Sequence, residues 1–94
     1  MYKLSRKEVL ESLSTERDYQ NQIWDANNKS SNATSISAYI LWMEYQLQLA
    51  RTLASTTDET TGTETANAIM EVVRKVGGLA VACGELHGMP QRQK

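Results

Sequence analysis

Hydrophobic and polar positions alternate along this chain with a helical period, and they resolve into three segments. The first opens at Ser5-Arg6-Lys7-Glu8, an S-x-x-E capping box in which serine and glutamate satisfy free backbone N–H groups. Val9, Leu10 and Leu13 follow as a short apolar face, and the spacing predicts helix over about 6–23. Residues 25–34, DANNKSSNAT, predict a loop. The second helix is predicted from a Ser35 cap over 36–54, with Ile36, Ile40, Met43, Leu47, Ala50 and Ala54 on one stripe. Tyr39, Trp42, Leu49 and Leu53 form a second stripe broken by Gln46, so this helix has two apolar sides and calls for two partners. After a polar turn, Thr61 and Glu64 offer another capping box, and helix is predicted over 64–87. There Ile69, Val72, Val76, Leu79, Cys83 and Leu86 form the core-facing stripe, and Ala66, Met70, Val73, Gly77, Ala80 and Gly84 a second one of small residues. Gly88 suits a C-cap, and Pro90 prevents the helix from resuming.

The expected architecture is therefore all-α, a single domain over residues 1–94 with a short N-terminal helix and two long antiparallel helices. A chain of 94 residues buries a modest share of its unfolded surface. One cysteine, Cys83, and one histidine, His87, rule out an internal disulfide and a closed structural zinc site. Self-association remains as the means of covering the second stripes. Gly77, Gly78 and Gly84 fall within one helix although glycine costs about 0.5–1 kcal/mol there relative to alanine. Such glycines point to close approach of another backbone, expected between subunits, or to a ligand lodged against the helix.

Charge narrows the partners. Lys and Arg number 10 and Asp and Glu 11, a net charge of -1, which argues against a general binder of nucleic-acid polymers or anionic membranes. No apolar run approaches the ~20 residues of a membrane span, and residues 1–13 lack the apolar core of a signal peptide. A reduced intracellular compartment is expected from the lone thiol.

Catalytic signals are poor. Cys83 and His87 lie four apart, but Cys83 belongs to the aliphatic stripe and reads as a small core residue, with His87 at the carbonyl end of the helix dipole. Glu64 and Glu71 are seven apart, without the E-x-x-E and E-x-x-D pairs by which all-α nucleotide pyrophosphohydrolases hold magnesium. No catalytic residue, metal or cofactor is expected. A polar and aromatic constellation is more informative: Arg17, Tyr19 and Trp24 precede a loop bearing Lys29, Ser30, Ser31, Thr34 and Ser35. A ring stacks on a base for about 1–3 kcal/mol, and cations and hydroxyls bind phosphate, so the set suits a small nucleotide. The alternative is a pair of core-edge aromatics beside a surface arginine. Arg74-Lys75, one turn before Gly77, forms a second possible anion site or a solvent-facing pair.

The segments E-R-x-Y-Q-x-x-I-W, I-L-W-M-E-Y and R-K-V-x-x-L-A-V-A-C-x-E-x-H-G-M-P together resemble the anti-CBASS sponges of tailed phages. Those small proteins sequester cyclic oligonucleotide signals of bacterial defence. The likeness spans residues 15–92, and its C-terminal pattern is also similar to that of sponges for the cyclic ADP-ribose signals of Thoeris defence and of uncharacterised phage proteins. It implies a homohexamer built from dimers, acting in the cytoplasm of an infected bacterium, that binds without catalysis. It implies a cyclic dinucleotide site, for ligands such as cyclic GMP-AMP, with Tyr19 stacking on a base. Lys29 and Thr34 are the nearest equivalents of the family's phosphate-binding lysine and threonine, with Arg17 and Trp24 beside them. It further implies a separate site for cyclic trinucleotides such as cyclic tri-AMP, at Arg74 with Gly77 and Gly78. A nucleotide hydrolase is the competing reading from another class.

Overall fold

A computed structural model describes residues 3–26, 34–56 and 62–93. Helix forms over Arg6–Ala26 (α1), Ile36–Thr56 (α2) and Gly62–His87 (α3), and no strand occurs among the described residues. The all-α expectation holds. The first helix, however, is not short: α1 has 21 residues, as many as α2. Its polar stretch from Ser14 to Asp18 stays helical because Glu16 and Arg17 are engaged by α3, a tertiary reward that outweighs local propensity.

Local signals set the helix ends. The Ser5 N–H donates to Glu8 Oε1 at 3.0 Å and the Glu8 N–H to Ser5 Oγ at 3.1 Å, completing the capping box. Those bonds stabilise the carboxylate, and they hold the Glu8 pKa below its ordinary value. Ser35 Oγ accepts the Ala38 N–H at 3.1 Å and caps α2. Gly88 takes a φ of 85°, and its N–H donates to the Gly84 carbonyl at 2.8 Å, the left-handed C-cap expected there. The Thr61 cap lies outside the described residues.

Helix α3 is the central element, with α1 and α2 each packed against it. The start of α2 lies beside the end of α3, where His87 Nε2 is 2.9 Å from the Thr34 carbonyl oxygen, so α2 and α3 are antiparallel. Tyr39 is wholly buried there with Leu79 and Ala82, and Met43, Cys83 and Leu86 pack around them. Its ring meets Trp42 and His87 edge-on, with centroids 5.7 and 6.2 Å apart. Cys83 is thus a core-edge thiol, as its stripe implied.

Neither apolar stripe of α2 is buried whole. The buried side takes Tyr39 from one stripe and Ala50 from the other. It leaves Ile36, Ile40 and Leu47 about half exposed on one edge, and Leu41, Tyr45 and Leu49 exposed on the other. The chain presents 7598 Å² to solvent, where a compact monomer of 10.5 kDa exposes about 5,400 Å². Its radius of gyration is 15.0 Å against about 12.4 Å for a compact domain of this length.

The glycines of α3 are covered by the chain itself, which corrects the expectation that they meet another subunit. Gly77 lies under the Leu13 side chain of α1. A Cβ at Gly78 would sit 2.7 Å from Glu16 Cγ and 2.8 Å from Gln20 Nε2, and one at Gly84 would be 3.0 Å from Met89 Cε. Small residues recur because α1 crosses α3 closely at 77 and 78, and because the chain folds back after Gly88. No helix among the described residues is long and apolar enough to cross a membrane.

Candidate functional site

The crossing of α1 over α3 is built around a carboxylate. Glu16 is 6% exposed and accepts the Arg74 Nε–H at 2.8 Å. Gln20 Nε2 donates to Glu16 Oε2 at 3.3 Å and to the Lys75 carbonyl at 3.2 Å. A nearly buried carboxylate needs such partners, since an unpaired charge in the interior is expensive. The Cβ-less backbone at Gly78 is what lets Glu16 and Gln20 approach so closely.

This crossing opens into two adjoining concavities of about 490 Å³ each, inside the range of ordinary ligand sites. The first is lined by Glu16, Tyr19, Glu71, Arg74 and Lys75, with the hydroxyl residues Ser12 and Thr15. Arg74 uses Nε for Glu16 and keeps its side chain 41% exposed; its terminal nitrogens have no hydrogen-bond partner among the described residues. Lys75 has no ion-pair partner among the described residues. The second lies between α1 and α2 over α3, lined by Tyr19, Gln20, Ile23, Trp42, Tyr45 and Gln46, with Glu16, Lys75 and Leu79. Tyr19, Glu16 and Lys75 belong to both, so the two are continuous.

Tyr19 and Arg74, expected in separate sites, thus line one concavity of a single chain. Gly77 and Gly78 do not line it; the space beside them is taken by Leu13, Glu16 and Gln20. Arg17 does not join Tyr19. It turns to Glu85 of α3, its Nε–H donating to Oε1 at 2.6 Å, with the side chain 15% exposed. Thr34 does not join Tyr19 either: its carbonyl faces His87, whose ring packs on Tyr39. Burial raises the pKa of Tyr39 above the ordinary tyrosine value, against the lowering effect of Arg17. Lys29 and the Trp24 side chain lie outside the described residues.

Trp42, Tyr45, Gln20 and Gln46 were not expected at a site. Gln46 had been an interruption in an apolar stripe, and an amide at that place is itself the available signal of a lined cleft. A third hollow, about 420 Å³ and mainly apolar, lies where Leu4, Val9 and Leu13 face Met70 and Val73. No three His, Cys, Asp or Glu side chains gather to hold a metal ion among the described residues. No family model, curated protein or solved structure matches the chain.

Proposed function

We propose that this protein is a binding protein for small nucleotide signals, a phage sponge that sequesters cyclic oligonucleotides in the infected bacterium and so blocks CBASS immunity. The observation that carries the reading is the shared concavity: an exposed tyrosine ring, 58% open, beside the Arg74 guanidinium and the Lys75 ammonium. Ring and cations are the two halves of nucleotide recognition, the first for a base and the second for phosphate. Residues 19, 74 and 75 come from two helices distant in sequence, and it is the buried Glu16 that fixes their spacing.

The balance of charge in the concavity suits a small ligand gathered by symmetry better than a polymer. Glu16 and Glu71 offset Arg74 and Lys75 within one chain, so a doubly charged cyclic dinucleotide is held best by cations from two or more chains. Ile36, Ile40, Leu41 and Leu47 of α2, which lie outside the concavities and are at least half exposed, support such assembly. Burying these side chains against other copies of the chain would form a ring or cage such as the hexamer of the family that the chain resembles.

Function is mass action: the protein lowers free signal by holding it intact. Native mass spectrometry with cyclic GMP-AMP, cyclic tri-AMP and cyclic ADP-ribose reads subunit number and bound ligand together. The expected spectrum is an oligomer carrying unaltered cyclic nucleotide. Recovery of linear or dephosphorylated products after incubation with Mg²⁺ would assign a hydrolase instead, and no bound nucleotide from the panel would remove the sponge reading.

A further inference from the structure

The cleft between α1 and α2 holds more chemistry than the Tyr19–Arg74 wall uses. Three rings line it, Tyr19, Trp42 and Tyr45, and they are 58, 44 and 61% exposed. Aromatic side chains with this much open surface at one hollow are unusual in a chain whose charged residues could have covered the positions. Trp42 is also held in place, because its ring packs edge-on against the wholly buried Tyr39 at a centroid distance of 5.7 Å. A preorganised ring loses little freedom when a flat ligand lands on it.

Two amides stand among the rings. Gln20 spends its Nε2–H groups on Glu16 and on the Lys75 carbonyl, which fixes the amide, and its Oε1 has no hydrogen-bond partner among the described residues. Gln46 brings both a donor and an acceptor to the same lining. Lys75 sits where this cleft meets the concavity of Arg74. Flat apolar surface, edge-reading amides and one cation at the exit are the requirements of a single nucleotide unit.

We propose that the α1–α2 cleft is the base-recognition pocket of this protein. A purine stacks against Trp42, Tyr45 and Tyr19, its polar edge meets Gln20 and Gln46, and its phosphate lies over Lys75 toward Arg74. This rests on the nucleotide-binding reading above and adds the residues of α2 that select the base.

The test uses the unaltered full chain, titrated with cyclic GMP-AMP by tryptophan fluorescence and by calorimetry, with the Trp42 emission isolated as the difference from Trp42→Phe. The expected result is a saturable change in Trp42 emission with the same midpoint as the heat, and no comparable binding of ribose 5-phosphate, which lacks a base. Tyr45→Ala should weaken binding by about ten-fold or more, and Tyr45→Phe by less than about two-fold, because the ring is what stacks. Sedimentation should give Tyr45→Ala the subunit number of the parent. Unchanged affinity in Tyr45→Ala, equal binding of ribose 5-phosphate, or loss of assembly in Tyr45→Ala would each overturn the pocket while leaving the sponge reading standing. Failure of the parent chain to bind any cyclic nucleotide would overturn both.

Discussion

Glu16 of α1 and Arg74 of α3 form an ion pair of 2.8 Å in which the carboxylate is nearly buried and the guanidinium half open. The two residues thus serve the fold and the candidate site with different atoms. Arg74→Ala removes the partner of a buried charge, so a binding defect in that variant mixes lost contact with lost stability. The expected cost of Arg74→Ala is roughly 1–3 kcal/mol, the range for stranding a buried polar group, discounted because Arg74 is itself partly exposed. Glu16→Gln combined with Arg74→Ala should recover part of it, since no buried charge is then stranded. Urea midpoints of the two variants and the parent check this; equal losses in the single and the double variant would contradict it.

Gly78 and Gly84 make a matched pair for the second prediction. Alanine at either position gains about 0.8–1 kcal/mol of helix propensity. At Gly78 the new methyl drives into Glu16 Cγ and the fixed Gln20 amide, an overpacking cost of about 1–3 kcal/mol. At Gly84 it meets Met89 Cε at 3.0 Å and Cβ at 3.3 Å, a milder contact with a residue that lies beyond the helix and is 66% exposed. Gly78→Ala should therefore lower the thermal midpoint and Gly84→Ala should hold or raise it. The reverse order would show that α1 does not pack across α3 at residue 78.

Tyr39 gives the fold an alkaline limit. Burial of its hydroxyl is the main reason its pKa stands above the ordinary value near 10, so the folded state favours the neutral phenol. A raised folded value means that the contribution to stability is complete below the unfolded value and is lost as pH rises through the folded one. Stability measured by urea should fall above about pH 10, and Tyr39→Phe should flatten that limb. An identical alkaline fall in both proteins would place its origin elsewhere.

The uncovered edges of α2 predict assembly. Leu41 is 63% and Leu47 50% exposed in the single chain, so a charged residue at either one costs the isolated fold little. Leu41→Glu or Leu47→Glu should keep the helical circular dichroism of the parent and reduce its sedimenting mass. A parent protein that sediments as a monomer at micromolar concentration would remove the oligomer.

Much of the fold was legible along the chain because its signals are local. Ser5 with Glu8, Ser35 and Gly88 end helices through bonds three or four residues long, and those bonds formed as their residue types required. The heptad-like stripes gave the number of helices, and the thiol of Cys83 lies at the core edge as its stripe implied. The length of α1 was less legible, since residues 14–18 are polar and owe their helix to partners more than fifty positions away.

What the tertiary structure alone decided is which face of each helix is used. Periodicity places Gly77 and Gly78 on a small-residue stripe, but a stripe has no address, and only the crossing of α1 shows that Leu13, Glu16 and Gln20 fill it. The same holds for Tyr19 and Arg74, which the family resemblance implies in two sites and packing brings to one concavity. Caps and periods depend on neighbours along the chain. Site geometry depends on which charges find partners across it, and Arg17 and Arg74 are distinguished only by the carboxylates, Glu85 and Glu16, that claim them.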